Sequence, residues 1–245
     1  MLVTRPYNRN HAYAYAQRWA LSRNALFYDF APIGGDCTNF ASQCLYAGSC
    51  MMNYTPTYGW YFISAEDRSA SWTGVDFFYN FITQNNGEGP FGRETSAQEI
   101  LIGDFVQLGR ADGTFYHTLV ICGAVGNTFL VCAHNNDVLN RRLNTYQYDL
   151  IRYLHIDGVR FITADPDNCF ESVYNGVSIY PTQAQSVPTP ASQAPEAPAP
   201  TAQPTETPAP ATQQAETPAP ATQPTETPAP PPPTAQSEAA PPQAP

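Results

Sequence analysis

The chain has 245 residues and a formal net charge of −10, but neither its charge nor its aromatic content is spread evenly. Up to Arg160 there are 13 acidic residues against 11 arginines, too near a balance to serve as a footprint for nucleic acid or an anionic lipid surface. The chain has no lysine, which excludes Schiff-base catalysis, Ser–Lys dyads and a Walker-type phosphate loop.

Asn8 or Asn10 can cap a first helix, in which Ala12, Tyr15, Ala16, Trp19 and Ala20 recur at helical spacing up to about Asn24. A loop over residues 28–35 leads to the run GGDCTNFASQCLYAG at residues 34–48. There Phe40, Ala41, Cys44 and Leu45 follow Cys37 at i+3, i+4, i+7 and i+8, the buried stripe of a helix that Gly48 would end as its C′ residue. A long aromatic-rich connection over residues 50–71 follows, and loops of that length in a compact domain are usually functional. A third helix is expected from Thr73, with Thr73 and Asp76 as a capping box and Phe77, Phe78, Phe81 and Ile82 as its stripe. Residues 85–90 break it, and Ser96 with Glu99 suggests one further helical turn.

The pattern then changes to strands over residues 105–108, 117–122, 128–133 and 150–156, with turns at Gly103-Asp104, residues 109–113 and Gly126-Asn127. Helices first and an antiparallel sheet afterwards make an α+β layout. A folded domain over residues 1–162 and a transition segment over 163–180 precede a Pro/Ala/Thr/Gln/Glu-rich tail over 181–245. In that tail TAQPTETPAP, ATQQAETPAP and ATQPTETPAP repeat with period ten. The tail is expected to be a disordered, polyproline-like spacer, and its composition points to no partner.

The six cysteines form no C-x-x-C pair, and most sit in apolar runs as reduced core thiols do, so no structural zinc is expected. The first residues lack the apolar core of a signal peptide, and no stretch is long enough to span a membrane. Both readings favour a cytoplasmic or non-classically released protein.

Cys37 at a helix start is where backbone N–H groups favour a thiolate, against the plain alternative of a buried structural thiol. A thiol nucleophile needs a base, and His117 and His134 are the candidates. His117 opens the strongest strand and His134 ends the next, so antiparallel pairing places both at one sheet edge with Asn135, Asn136 and Asp137. One of His134, Asn135, Asn136 and Asp137 would orient the base. The two histidines could instead hold a metal with Cys37 or Asp137, but no H-E-x-x-H pattern supports it. His11 and His155 need only structural roles, and Asp104 reads as a turn and strand-start residue. Trp60 and Trp72 are core or cleft walls, and with Tyr61 they belong to the neutral aromatic segment that would line a substrate cleft.

Read in order, these stretches resemble the bacterial family named "Putative amidase domain", a branch of the papain-like superfamily to which CHAP amidases and cell-wall endopeptidases belong. The resemblance rests on Tyr7-Asn8-Arg9, Tyr15-Ala16 with Trp19-Ala20, the run at 34–48, Gly59-Trp60-Tyr61, residues 71–75, Gly103-Asp104, His117 and Ala133-His134. It implies a papain-like fold, a Cys37 nucleophile and a His117 general base. His134 fits the third position best, with Asn136 next. It also implies hydrolysis of an amide through a thioester, with peptidoglycan stem peptide or another N-acyl amide as substrate and no cofactor. The alternative is a non-catalytic wall- or peptide-binding module on a flexible spacer.

Overall fold

The computed structural model describes residues 1–162 and 169–178. The expected tail over 181–245 lies outside the described residues, as do residues 163–168 and 179–180 of the transition segment. The α+β layout holds. Strand β1 (Val3–Arg5) precedes helices α1 (Arg9–Trp19), α2 (Cys37–Ser49), α3 (Ala70–Thr73) and α4 (Val75–Gln84). Strands β2 (Gly89–Thr95), β3 (Phe105–Gly109), β4 (Phe115–Val125), β5 (Thr128–Ala133), β6 (Val138–Arg142) and β7 (Leu150–Phe161) follow, then helix α5 (Phe170–Asn175). The seven strands form one sheet in the order β1-β7-β3-β4-β5-β6, with β2 also paired to β7, and every pairing is antiparallel.

Asn8 caps α1, its Oδ1 accepting from the His11 N–H at 3.1 Å. Three helical expectations are corrected. Gly48 lies inside α2, whose left-handed cap is Cys50; residue 48 is glycine for another reason, since a Cβ there would stand 2.3 Å from the Tyr7 ring. Thr73 ends α3 rather than capping α4. Gly74 breaks the helix between them, and Asp76 takes a bond from Arg152 Nη2 at 2.7 Å instead of capping. The segment after Ser96 is a turn, closed by Glu99 N–H on the Ser96 carbonyl at 3.1 Å.

Alternation along the central strands divides the apolar residues between two clusters. Val120, Cys122, Cys132 and Leu154 meet Phe40, Ala41, Cys44 and Leu45 of α2 and the Trp60–Trp72 pair. Leu108, Leu119, Ile121 and Val131 pack in the second cluster with Ile100 and Leu143. The buried Asp104 carboxylate binds the start of β3 to its neighbours. It accepts from Leu101 N–H (2.9 Å), Ile156 N–H (3.0 Å), His155 Nδ1 (2.8 Å) and the Arg9 guanidinium.

The folded part continues past residue 162. Cys50 and Cys169 form a disulfide, His11 stacks on Phe170 at 3.7 Å, and Asn24 Nδ2 donates to the Val173 carbonyl at 2.7 Å. This corrects the expectation that the cysteines are reduced for two of the six.

Candidate active site

Cys37 is the first residue of α2 and is almost buried, 6% exposed. The residue before it, Asp36, holds the N-cap position without capping, since its carboxylate is committed elsewhere. It accepts from the Phe30 N–H at 2.9 Å, Asn39 Nδ2 at 2.8 Å and His134 Nδ1 at 2.5 Å. The N–H groups of the first turn of α2 are therefore left without a side-chain cap, beside the sulfur, where the positive end of the helix dipole lies. Asp36 N–H in turn donates to Asn135 Oδ1 at 2.7 Å. Gly35, at φ +114°, has the room this contact needs, since a Cβ there would stand 2.7 Å from Asn135 Nδ2.

His134 is fully occupied. Its Nδ1 faces Asp36, its Nε2 faces the Trp19 carbonyl at 3.0 Å, and its ring lies on Phe40 with centroids 4.1 Å apart. Both ring nitrogens face oxygens of Asp36 and Trp19, so neither is left to orient another histidine. Asn135 is likewise tied to Asp36, and Asp137 takes both Arg23 Nη atoms at 3.0 Å. Asn136 is exposed, in a turn where it and Asn135 both have positive φ.

His117 lies on β4 opposite Leu108. Its neighbour Thr118 points at α2, with its Oγ1 3.0 Å from Thr38 Oγ1 and accepting from Gln107 Nε2 at 3.1 Å. Successive strand side chains take opposite faces, so His117 points to the other side of the sheet. There its ring lies 6.0 Å from that of Tyr146. The Cys37 sulfur is itself beside the β4 backbone, where the Thr118 main chain and the Thr38 hydroxyl hydrogen-bond to it. The thiol and the imidazole thus meet one stretch of backbone from two sides, and among the described residues no hydrogen bond joins them. Burial pushes the Cys37 thiol above its ordinary value, against the lowering effect of those hydrogen bonds. Burial, aided by the positive charge of Arg141, pulls His117 down to about 4. The resting pair is an uncharged thiol and a neutral imidazole.

Trp60 and Trp72 are core residues rather than cleft walls. Both are fully buried, their rings are 4.8 Å apart, and their Nε1 atoms donate to Ser42 Oγ (3.0 Å) and Asn39 Oδ1 (2.7 Å). Tyr61 is half-buried against Tyr54. Among the described residues no group of three His, Cys, Asp or Glu is placed to hold a metal ion, and no helix is long and apolar enough to cross a membrane.

Sequence reasoning assigned no role to Asp36 or Thr118. Aspartate before a helix reads first as a cap, and only the fold shows its carboxylate turned to His134 instead.

The family described as "Putative amidase domain" matches residues 6–156. The uncharacterized protein YhbB of Bacillus subtilis (strain 168) is 31% identical over 147 residues, which are 58% of this chain and 45% of that protein. The chain thus spans less than half the length of that curated relative. No solved structure matches the chain.

Proposed function

From the premise that this chain belongs to the "Putative amidase domain" family, we propose that it is a cysteine-dependent amide hydrolase, with Cys37 as nucleophile and His117 as the residue that takes and returns the proton. The observation that carries this reading is the placement of Cys37: a thiol opening a helix whose first turn has no side-chain cap, with the Thr118 main chain at the sulfur. First-turn N–H groups free of a side-chain cap are suited to an oxyanion.

The thiol proton passes to His117 as the Cys37 sulfur bonds to the amide carbonyl carbon, and the carbonyl oxygen takes the negative charge. As the tetrahedral intermediate collapses, the C–N bond breaks and His117 gives its proton to the departing amine, leaving a thioester on Cys37. Water then attacks the thioester and yields its proton to His117. The C–S bond breaks, the carboxylic acid leaves, and the thiol is restored. In the structure the β4 backbone lies between the His117 ring and the sulfur, so this role requires the start of β4 to turn the ring toward Cys37 in the substrate complex. His134 acts here as a positioning residue that fixes Asp36 and, through it, the start of α2. A peptide or another N-acyl amide, including the stem peptide of peptidoglycan, is the substrate class the kinship supports. The Cys50–Cys169 disulfide favours work in an oxidising compartment over the reducing cytosol.

The second reading, a non-catalytic peptide-binding module, draws on the separation of His117 from Cys37 by the β4 backbone. Purified protein incubated with peptidoglycan fragments and simple N-acyl amides decides between them. Cleavage is expected, and it should vanish in Cys37→Ala. Cleavage that persists in Cys37→Ala overturns the nucleophile, and absence of cleavage across the panel favours the binding module.

A further inference from the structure

A cleft of about 490 Å³ lies between α4 and the loop over residues 53–60, within the ~300–1,000 Å³ typical of small-molecule sites. Neither Cys37 nor His117 nor His134 lines it. One wall is the flank of α4 that carries Phe77, Asn80, Phe81 and Gln84 at i, i+3, i+4 and i+7. The other is the loop that leaves Asn53 and returns at Trp60, closed by Asn53 N–H to Trp60 O (2.9 Å) and Trp60 N–H to Asn53 O (2.7 Å). The loop is held tight at Gly59, where a Cβ would stand 2.2 Å from the Asn53 carbonyl oxygen.

Three features of the cleft point to one ligand chemistry. First, none of its lining residues is acidic or basic. Carboxamide and hydroxyl groups stand among the apolar surface of its walls: Asn53 and Asn85 are held from within, each Nδ2 donating to the Glu88 carbonyl at 2.9 Å, while Asn80 and Gln84 are exposed. Second, two aromatic rings stand at its rim with no burial to account for them, Tyr58 at 83% and Phe77 at 60% exposure. Third, Thr57 holds φ at +68°, a conformation that a β-branched residue adopts only under constraint, and it turns the chain so that Tyr58 N–H meets the Pro56 carbonyl at 2.8 Å. The strain sits at the residue that sets the direction of Tyr58.

We propose that this cleft binds a neutral saccharide. A pyranose offers an apolar C–H face that a flat exposed ring can cover, and a ring of hydroxyls that both donate and accept, as carboxamides do. An anion or cation would find no opposite charge here, and a wholly apolar ligand would desolvate the exposed carboxamides of Asn80 and Gln84 without replacing their hydrogen bonds to water. The site is independent of the chemistry at Cys37, so it would place the protein on a glycan whether or not an amide is cut.

The test is a titration of the full-length protein, labelled with ¹⁵N, with cellotetraose and with chitotetraose. At least one sugar should give saturable shifts confined to residues 53–59 and 77–87. Tyr58→Ala and Phe77→Ala should each weaken binding by about three- to tenfold, the range of one lost ring contact. Both side chains are exposed, so the variants should keep the parent melting temperature, and Cys37→Ala should bind as the parent does. The proposal is overturned if neither sugar binds at millimolar concentration, if the shifts fall elsewhere, or if the Tyr58→Ala/Phe77→Ala double variant binds unchanged.

Discussion

Burial acts on Cys37 and His117 so that both are uncharged at rest, the thiol pushed up and the imidazole pulled down to about 4. The alkylation rate of Cys37 by iodoacetamide should therefore climb with pH through the neutral range and beyond pH 9; a plateau reached below pH 7 would instead reveal a preformed thiolate–imidazolium pair. The depressed His117 also ties stability to pH. Its unfolded form takes up a proton near pH 6.5, while the folded form resists until about 4. The native state thus has its full stability from this group above about pH 6.5 and loses it as the pH falls toward 4, an effect of about 3 kcal/mol at most. Urea midpoints across this window should fall more steeply for the parent than for His117→Gln. His134 presents the other case, a buried contact whose partner carboxylate shares several donors. His134→Ala removes one of the donors to the buried Asp36 carboxylate, which keeps Phe30 N–H, Asn39 Nδ2 and the Arg23 guanidinium 3.6 Å away, and should cost about 1–3 kcal/mol in urea unfolding. A loss below about 1 kcal/mol would mean that the contact with Asp36 contributes little.

At the scale of elements, periodicity made α1, α2 and strands β3, β4, β5 and β7 legible, because their burial patterns are regular. What stayed hidden was set by contacts distant in sequence. Strand β2 begins Gly89-Pro90-Phe91-Gly92, which reads as a loop. It forms a strand because it pairs only with β7, where proline is tolerated at an edge and the register shifts between Phe91 and Gly92. Gly92 is required there, since a Cβ would stand 2.1 Å from the His155 carbonyl oxygen. Gly92→Ala should push β2 off β7 and lower stability by about 1–3 kcal/mol, with amide protection lost first along β2. Protection unchanged in that variant would show that the bulge has room to adjust. The site was legible to the same degree. Cys37 and the shared edge of His117 and His134 could be read from spacing and strand order. Which face of β4 the His117 ring takes, and whether His134 has a nitrogen to spare, depend on packing against Thr38 and Trp19, and no local pattern encodes those contacts.

For the molecule as a whole, the link from residue 50 to residue 169 closes a loop of 119 residues and ties the start of α5 to the end of α2, while His11 stacks on Phe170 from α1. Cysteine spacing could not announce it, since the partners are far apart and neither lies in a recognisable motif. By chain entropy alone a closure of this length stabilises the fold by about 5 kcal/mol, because the oxidised chain has fewer unfolded conformations to lose. Part of the effect should also be local, since Trp19 Nε1 donates to the Tyr174 carbonyl at 3.0 Å and Arg18 lies over the Tyr174 ring. Cys50→Ser and Cys169→Ser should each lower the urea-unfolding free energy by about 3–5 kcal/mol. The double variant should lose no more than either single one, because all three lack the same bond. Reduction of the parent should reproduce the loss. If the two substitutions add, the cysteines act separately as buried thiols, and the case for an oxidising compartment goes with the bond.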